Sequence, residues 1–133
     1  MKAVFDTHVL VAAFVTEGLC AKLLKRARRK QLDLVVSPFI VKEFENVLLK
    51  KFSASRGEMR AATELILEVA QMVIPQPKVS GACRDPDDDQ ILSCALSVTA
   101  DYLVTGDFDL LEIKEFHGIR ILTPGAFELL FED

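Results

Sequence analysis

Short apolar segments alternate with longer stretches of helical periodicity along this chain of 133 residues. The five apolar segments are rich in strand-forming residues and lie at 3–5, 34–36, 73–74, 102–104 and 119–122. Helical patterns fill the intervals, at about 8–31, 38–52, 56–72, 86–100 and 109–116, and a last helix follows Pro124. Parallel strands need crossover connections, and the helices in those connections cover both faces of the sheet. The alternation therefore predicts an α/β fold: a three-layer α/β/α sandwich with a central, mostly parallel five-stranded sheet.

The length corresponds to one domain, which we expect to span residues 1–133. Half of the residues are apolar and 27% are charged, a balance that excludes the disordered and low-complexity classes. Residues 75–81 are the only linker-like stretch, and neither a repeat nor a shift in composition accompanies them. We interpret this segment as a surface loop inside the domain.

The charged residues are divided unevenly along the chain. Residues 1–60 carry 12 Lys and Arg against 6 Asp and Glu, whereas residues 61–133 carry 4 against 14. A basic half suggests a polyanionic partner, and an acidic half suggests a cation site. An enzyme that cuts nucleic acid with a metal needs both.

The cysteines and the first residues indicate the compartment. Cys20, Cys83 and Cys94 have no spacing typical of a zinc site, and their odd number argues against a disulfide framework. The apolar run at 9–15 is too short for a signal peptide or a membrane span. We expect reduced cysteines and a cytoplasmic protein without membrane association.

Two aspartates directly follow predicted strands. Asp6 ends the first apolar segment and Asp107 follows the fourth. Ligands of open parallel sheets bind at the carboxyl ends of the strands, so both residues are candidates for a site. Each one, taken singly, is also explained as the N-cap of the helix that follows it.

Glu43 lies beside the apolar stripe of the predicted helix 38–52. That stripe consists of Ile40, Phe44, Val47 and Leu48. A carboxylate at the edge of a buried face loses hydration, which is costly unless it is paired or bound to a metal. A salt bridge, a metal, or a side chain that reaches water from the border would each explain Glu43.

Residues 84–90, Arg-Asp-Pro-Asp-Asp-Asp-Gln, contain the densest group of acids. Asp85 and Pro86 fit the N-cap and the first position of the next helix. Asp88 precedes the apolar Ile91 by three residues and shares its inward face, although Asp87 could also lean inward. Asp89 projects about 100° away, so we expect it to be solvated.

Carboxylates that converge repel one another and raise each other's pKa unless a cation neutralises them. Ligation by Asp and Glu oxygens, without a cluster of His or Cys, suits Mg²⁺ or Mn²⁺ and argues against Zn²⁺. Such ions polarise a phosphodiester, activate water and stabilise the leaving oxygen. The acids therefore suggest phosphodiester hydrolysis.

Four motifs resemble the PIN domain family, and within it the prokaryotic branch related to VapC toxins. Residues 6–13, D-T-H-V-L-V-A-A, are similar to that branch's opening D-T-N-V-L-V-S-A. Ser37-Pro38 followed by Glu43 resembles its S-P-x-x-x-x-E, residues 85–88 resemble its D-P-D-D, and residues 100–107 resemble its A-D-Y-L-V-T-G-D. The motifs stand in family order over residues 1 to about 124.

The resemblance implies a PIN-like fold and a metal held by four acids, Asp6, Glu43, Asp88 and Asp107. It implies supporting roles for Thr7, Asp85, Thr105 and Asp109, with the two threonines orienting carboxylates or a metal-bound water. Proteins of this type are metal-dependent ribonucleases, are commonly homodimers, and often are toxins whose antitoxin blocks the acidic pocket. His8 stands where the branch usually has Asn, which bears on substrate contacts rather than on the four acids.

Residues 22–30 place six cations within nine residues, opposite an apolar set. One interpretation is an ordinary solvated helix face. The other is a surface that contacts RNA phosphates without reading bases, formed by Lys25, Arg26, Arg28 and Arg29. The aromatic residues in apolar patterns are expected in the core rather than stacked on bases: Phe14, Phe39, Phe44 and Phe52.

Our principal hypothesis is a Mg²⁺- or Mn²⁺-dependent endoribonuclease that acts as a toxin, with RNA as substrate and a homodimeric state and a cognate antitoxin expected. An alternative is a non-catalytic PIN-like regulatory protein whose acidic pocket binds a cation or a partner's arginine. A third hypothesis, phosphoryl transfer through Asp6 as nucleophile, lacks a second Asp at position 8 and a lysine after a late strand.

Overall fold

The computed structural model describes residues 1–76 and 78–132, which form one mostly parallel sheet with helices packed against it. The strands are β1 (Lys2–Phe5), β2 (Asp33–Val36), β3 (Gln71–Met72), β4 (Tyr102–Val104), β5 (Glu115–Phe116) and β6 (Ile119–Leu122). The helices are α1 (Thr7–Val15), α2 (Leu19–Arg28), α3 (Pro38–Lys51), α4 (Arg56–Val69), α5 (Pro86–Ser97), α6 (Phe108–Leu111) and α7 (Pro124–Glu128). The predicted α/β fold with a mostly parallel central sheet is confirmed.

The strand order, β3-β2-β1-β4-β6-β5, places β1 in the interior of the sheet. β1 pairs in parallel with β2 on one side and with β4 on the other. The chain first moves from β1 toward β2 and later returns to β4, so the direction of winding reverses beside β1. In parallel sheets the crevice at such a reversal, beyond the carboxyl ends of the strands, is the usual ligand site.

The core forms because β1 and β2 are apolar on both faces, as strands covered by helices must be. In each of them every residue after the first is buried. Helix α1 packs against α2 and α3, α3 packs against α4, and α5 lies on β1, β2 and β4. Phe127 of α7 meets Phe5 edge to face, with 5.9 Å between the ring centroids.

The sheet has a sixth strand that the sequence pattern did not predict. The predicted helix 109–116 ends at Leu111, and β5 and β6 form an antiparallel hairpin. Its two loop residues, His117 and Gly118, have φ values of 51° and 84°, the left-handed pair that tight hairpins require. The third strand is also displaced, because β3 pairs with Val35 and Val36 at residues 71–72 rather than at 73–74.

The predicted helical stretch 8–31 consists of two helices that meet at a bend of 98°. Helix α1 ends at Val15 because Thr16 adopts an extended conformation, and its hydroxyl donates to the Ala12 carbonyl at 2.7 Å. No single helix in the described part of the chain is long and apolar enough to cross a membrane. Only the bent pair α1 and α2, taken together, reaches that length and composition.

The predicted surface loop 75–81 contains Pro77, which lies outside the described residues. On either side of it the chain is attached to α5. The Gln76 N–H donates to Ser97 Oγ at 2.8 Å, and the Val79 N–H donates to Ser93 Oγ at 2.7 Å. These bonds hold the segment that leads into α5 close to the helix that carries the run of aspartates.

Candidate functional site

Asp6 and Asp107 come together because β1 and β4 are neighbours in the sheet. Phe5 is paired with Val104, so Asp6 and Thr105 follow side by side at the carboxyl end of the strands. The Thr105 hydroxyl donates a hydrogen bond to Asp6 Oδ2 and accepts one from the Asp107 N–H at 3.0 Å. One fully buried threonine thereby fixes the two aspartates relative to each other.

Asp6 is also the N-cap of α1. This residue therefore caps a helix and lies beside Asp107 at the carboxyl end of the sheet. Its Oδ1 accepts the Val9 N–H at 3.0 Å, while Oδ2 is held by Thr105. Asp6 is only 5% exposed. Burial raises the pKa of Asp6, and the hydrogen bonds from Thr105 and Val9 oppose that rise. The carboxylate is therefore held in place by the protein itself.

Asp88 enters the site from α5, whose start is set by Asp85. Asp85 caps the helix by accepting the Asp87 N–H at 2.9 Å, and Pro86 occupies the first turn. Asp88 then lies on the inward face and is 9% exposed, whereas Asp87 is exposed. Burial, together with the charge and hydrogen bonding of Asp107, raises the pKa of Asp88 to about 7. Of the two aspartates that the sequence left open, Asp88 is the buried one.

Three aspartates bring carboxylate oxygens into one small volume. One oxygen from each of Asp88, Asp107 and Asp109 lies within 4.8 Å of the other two. Asp107 begins α6 and accepts the Asp109 N–H at 2.9 Å, which keeps this pair on one turn. Arg84 lies 3.9 Å from Asp109, but its side chain is 86% exposed, so the ion pair neutralises little of the charge. Like charges at this separation call for a cation or a shared proton.

Two of these aspartates, Asp88 and Asp107, line a cavity of about 150 Å³ at the carboxyl end of the sheet, which we call the acidic pocket. All four acids that the family resemblance implies line it, together with other predicted residues: Asp6, Thr7, His8, Glu43, Asp85, Asp87, Asp88, Ile91 and Asp107. Glu43 reaches it from α3 and forms no ion pair with any residue in 1–76 or 78–132. A salt bridge therefore does not explain Glu43. The tight group of three oxygens includes Asp109 rather than Asp6 or Glu43.

Thr7 gives independent support for a ligand in this cavity. Its hydroxyl oxygen is buried and has no hydrogen-bond partner among the residues that the structure describes. A buried hydroxyl without a partner costs about 1–3 kcal/mol, so proteins normally satisfy such a group with water or an ion. Carboxylate and hydroxyl oxygens are the donors that Mg²⁺ and similar hard cations prefer. The residues present therefore fit a small divalent metal ion.

Asp89 is not solvated, contrary to our expectation. It is 5% exposed, and its carboxylate accepts the Gly81 N–H at 3.0 Å and the Cys83 N–H at 2.9 Å. The loop before α5 folds back over the helix and covers a face that helical periodicity alone assigns to solvent. Burial and the neighbouring Asp89 raise the pKa of the Cys83 thiol to about 12. Asp89 thus shapes the loop that leads to Asp85.

The basic segment of α2 does not form one surface. Lys25, Arg28 and Arg29 are exposed, but Arg26 is 5% exposed. Its guanidinium binds the Glu128 carboxylate through Nε and, at 3.1 Å, through Nη2, and it lies 4.4 Å from the centroid of the Phe131 ring. The structure corrects the expectation that Arg26 faces RNA, because this side chain is already bound inside the protein.

Arg28 lies at the opposite end of the sheet from the acids. Together with Lys30 it lines a cavity of about 670 Å³ whose walls include Lys2 and Asp33. Lys2 and Asp33 are the first residues of β1 and β2, whereas the acidic pocket lies beyond the last residues of β1 and β4. Arg28 therefore does not face the acidic pocket.

A second cavity, of about 500 Å³, adjoins the acidic pocket and was missed by sequence reasoning. Its walls are Phe39, Lys42, Glu43 and Asn46 from α3 and Asp87 and Gln90 from α5. Phe39 is not in the core as expected, but half-buried at this wall, and Phe52 is 49% exposed. The sequence signal that could have indicated this cavity is the helical spacing of residues 39, 42, 43 and 46, which places them on one face of α3. The stronger apolar stripe on the adjacent face of α3 obscured it.

Comparisons with known proteins agree with the fold. A sequence model of the PIN domain matches residues 2–109. No curated protein matches the chain. A chain in the structure of VapBC2 from Rickettsia felis, bound to a DNA fragment from their promoter, is 15% identical with a TM-score of 0.67, over 91% of this chain and 97% of that one.

Two further structures are similar in the same way. A chain of VapBC-1 from nontypeable Haemophilus influenzae is 17% identical with a TM-score of 0.66, over 94% of this chain and 99% of that one. VapC20 from Mycobacterium tuberculosis, described as a sarcin–ricin loop cleaving toxin, is 11% identical with a TM-score of 0.61, over 89% of this chain and 98% of that one. At these identities the likeness concerns the fold.

Proposed function

The chain belongs to the PIN domain family, and from that premise we propose that it is a divalent-metal-dependent endoribonuclease that hydrolyses RNA phosphodiester bonds. The observation that carries the proposal is the convergence of Asp6, Glu43, Asp88 and Asp107 on one cavity at the carboxyl end of the sheet. The buried Thr7 hydroxyl without a partner in the described residues adds a second, independent argument for a ligand there.

In this proposal Asp6, Glu43, Asp88 and Asp107 hold Mg²⁺ or Mn²⁺. A bound ion of this kind polarises the phosphodiester and lowers the pKa of a water molecule. The chain contributes positioning: Thr105 locks Asp6 to the Asp107 backbone, and the helix starts at Asp6, Asp85 and Asp107 orient the acids.

The same groups set the charge of the pocket. Burial, with the neighbouring charges of Asp107, Asp85 and Asp6, raises the pKa of Asp88 to about 7 when no cation is bound. The pocket therefore carries its full negative charge only above that pH or when a cation compensates it. Asp109 adds a further oxygen beside Asp88 and Asp107.

We further propose that the protein is the toxin of a toxin–antitoxin pair, cytoplasmic, and a homodimer. The toxin role is supported by the fold shared with chains in VapBC complexes and with VapC20, a toxin described as cleaving the sarcin–ricin loop. The cognate antitoxin and the homodimer rest on the family resemblance of the motifs. Light scattering on the purified protein tests the homodimer, and co-purification with the product of any small reading frame found beside the gene tests the antitoxin.

The test of the activity compares Asp6→Asn with Asp33→Asn on a panel of single-stranded and structured RNAs with Mg²⁺, with Mn²⁺ and with EDTA. Asn at position 6 keeps an oxygen for the Val9 N–H and so preserves the cap. Metal-assisted charge stabilisation is worth several kcal/mol, so we expect Asp6→Asn to lower the cleavage rate about a thousandfold. Asp33, exposed at the other end of the sheet, should have no effect.

Cleavage by rigorously purified Asp6→Asn protein at the wild-type rate would contradict the proposal. Binding of both metal and RNA by the wild-type protein without any cleavage would instead identify the non-catalytic regulatory protein.

A further inference from the structure

We propose that the cavity between α3 and α5 is a subsite for one unpaired nucleotide of the RNA, next to the phosphate that is cut. The inference rests on the proposed function, since it names a feature of the substrate of that same site. The walls of the cavity include Phe39, Lys42 and Asn46 on α3 and Gln90 on α5. We call this cavity the α3/α5 subsite.

The α3/α5 subsite is continuous with the acidic pocket. Glu43 and Asp87 line both cavities, so a strand whose phosphate lies among the acids can place its next nucleotide against α3. The α3/α5 subsite is a shallow, open depression of about 500 Å³ rather than an enclosed cavity. The acidic pocket itself, about 150 Å³, is too small to hold a base as well as a metal.

The side chains around the α3/α5 subsite have the three chemistries that a nucleotide needs. Phe39 is a half-buried aromatic ring outside the apolar core of the described residues, and aromatic rings stack on bases. Lys42 is an exposed cation suited to a phosphate. The amides of Asn46 and Gln90 each offer a donor and an acceptor, the combination that reads the polar edge of a base.

These polar groups are available for a ligand. Among the residues that the structure describes, Lys42 has no acid within ion-pair distance. The side-chain amides of Asn46 and Gln90 likewise have no hydrogen-bond partner within residues 1–76 and 78–132. All three residues line the same cavity, and no ion pair or side-chain hydrogen bond of theirs joins α3 to α5 in the described residues.

The composition of the subsite favours a nucleotide over an apolar peptide. A docking surface for an apolar helix or strand presents a contiguous apolar patch, whereas here one aromatic ring is surrounded by a cation, two amides and two acids. Stacking on Phe39 requires a base whose face is free, so the occupant is a nucleotide of a single strand, a loop or a bulge. The subsite therefore selects unpaired RNA.

The binding test uses Asp6→Asn protein, so that RNA is not cut, with Mg²⁺ and fluorescein-labelled oligo-A, oligo-C, oligo-U and an RNA duplex. Phe39→Leu keeps apolar volume but removes the ring, and we expect it to weaken binding of the single strands about tenfold without affecting the duplex. Phe39→Tyr should bind as the parent does. Phe52→Leu is the matched control, since Phe52 is also part-exposed beside α3 but lies outside the subsite.

The lysine is tested through salt dependence. Lys42→Ala should lower the slope of log affinity against log salt by about 0.7, the contribution of one phosphate contact to a single strand, while Lys50→Ala on the same helix leaves the slope unchanged.

The amides are tested by sequencing the products of a randomised single-stranded RNA cut by active protein. Asn46→Ala and Gln90→Ala should flatten the base preference at one position beside the cut.

Equal affinity of Phe39→Leu and Phe52→Leu for the single strands, with cleavage intact, would overturn the subsite and leave the nuclease proposal standing. If Phe39→Leu selectively loses binding of the single strands and the wild-type protein cuts no RNA, the subsite is supported and the nuclease proposal is overturned. If Phe39→Leu changes the molar mass by light scattering, or affinity for a protein partner, but not for RNA, the surface is a protein interface and the inference is wrong.

Discussion

The acidic pocket and helix α2 are both dense clusters of like charge, but their side chains point in different directions. At the acidic pocket, carboxylate oxygens of Asp88 and Asp107 converge with one of the adjacent Asp109 within 4.8 Å. On α2 the cations diverge, because Arg26 turns inward to Glu128 while its neighbours face solvent. Charges that converge without compensation retain an electrostatic cost that a ligand can relieve, whereas charges that are paired or solvated do not. The candidate site is therefore distinguished by the direction in which its charged side chains point, rather than by the number of charged residues in one segment.

The volume of a cavity does not identify the candidate site, as a comparison of two cavities at opposite ends of the sheet shows. The cavity of about 670 Å³ at the amino end of the sheet is lined by charges of both signs, so they partly compensate one another: the cations are Lys2, Arg28 and Lys30 and the acids are Asp33 and Glu68. The acidic pocket is much smaller, at about 150 Å³, yet six acids line it, together with a buried hydroxyl that has no partner in the described chain. The chemistry of the walls therefore outweighs their volume.

The largest effect on stability is expected from Arg26→Ala. Removing Arg26 leaves the largely enclosed Glu128 carboxylate with only the exposed Lys22 as a partner, and we expect a loss of about 3 kcal/mol in the free energy of unfolding. The control is Lys22→Ala, since Lys22 also contacts Glu128, at 3.1 Å, but is 61% exposed and should contribute less than about 1 kcal/mol. Urea unfolding measures both. Unchanged stability combined with weaker RNA binding would show that Arg26 belongs with the RNA contacts after all.

A smaller effect, of about 1 kcal/mol, is expected from relieving the repulsion in the acidic pocket. The folded protein without metal holds the pKa of Asp88 at about 7, above the value near 3.8 of the unfolded chain. The folded state therefore binds more protons between these values, and its stability falls as the pH rises from about 4 to about 7. Asp88→Asn removes this component, so the variant should be more stable than the wild type above pH 7 and show a flatter profile.

Thermal unfolding in EDTA across this pH range measures that difference, with Asp33→Asn as the control for the loss of one exposed acid. Adding Mg²⁺ should reverse the order, because a ligand at a hundred times its Kd stabilises the wild type by about 2.7 kcal/mol. The acids would be shown not to converge if Asp88→Asn unfolded at the same temperature as the wild type at every pH and with or without Mg²⁺.

The smallest effect is expected from the exposed cations of α2. The combined variant Lys25→Ala, Arg28→Ala, Arg29→Ala should weaken binding of a short single-stranded RNA by less than about threefold at physiological salt, because Arg28 lies at the opposite end of the sheet. The proposed phosphate contacts should become detectable only with longer RNA and low salt. A tenfold loss with the short RNA would mean that the strand runs across α2 to the acidic pocket.

Much of the fold follows from local patterns. The runs that form β1, β2, β4 and β6 are recognisable because each is short, apolar and bounded by polar residues. The β5–β6 hairpin was missed because both of its loop residues, His117 and Gly118, adopt a left-handed conformation. Of the two, only the glycine is a residue type that indicates this conformation in a sequence. The break between α1 and α2 was missed because apolar periodicity continues through Thr16.

The site is predictable to a similar extent. Asp6 and Asp107 were identified because strand ends are visible in the sequence, and both line the predicted pocket. Asp89 and Phe39 were misjudged, since Asp89 is covered by the loop that folds back before α5 and Phe39 lies at a cavity shared with the neighbouring α5. Periodicity describes one helix at a time and carries no information about what covers it.

The sequence by itself determined which residues begin and end most elements, because capping groups, prolines and apolar runs act over a few residues. Only the tertiary structure decided which charges meet. Parallel pairing of β1 with β4 joins Asp6 to Thr105 across 99 positions of sequence, and α7 reaches back to neutralise Arg26. Electrostatic cost depends on distance in space and on exclusion of water, and both are set when the layers pack.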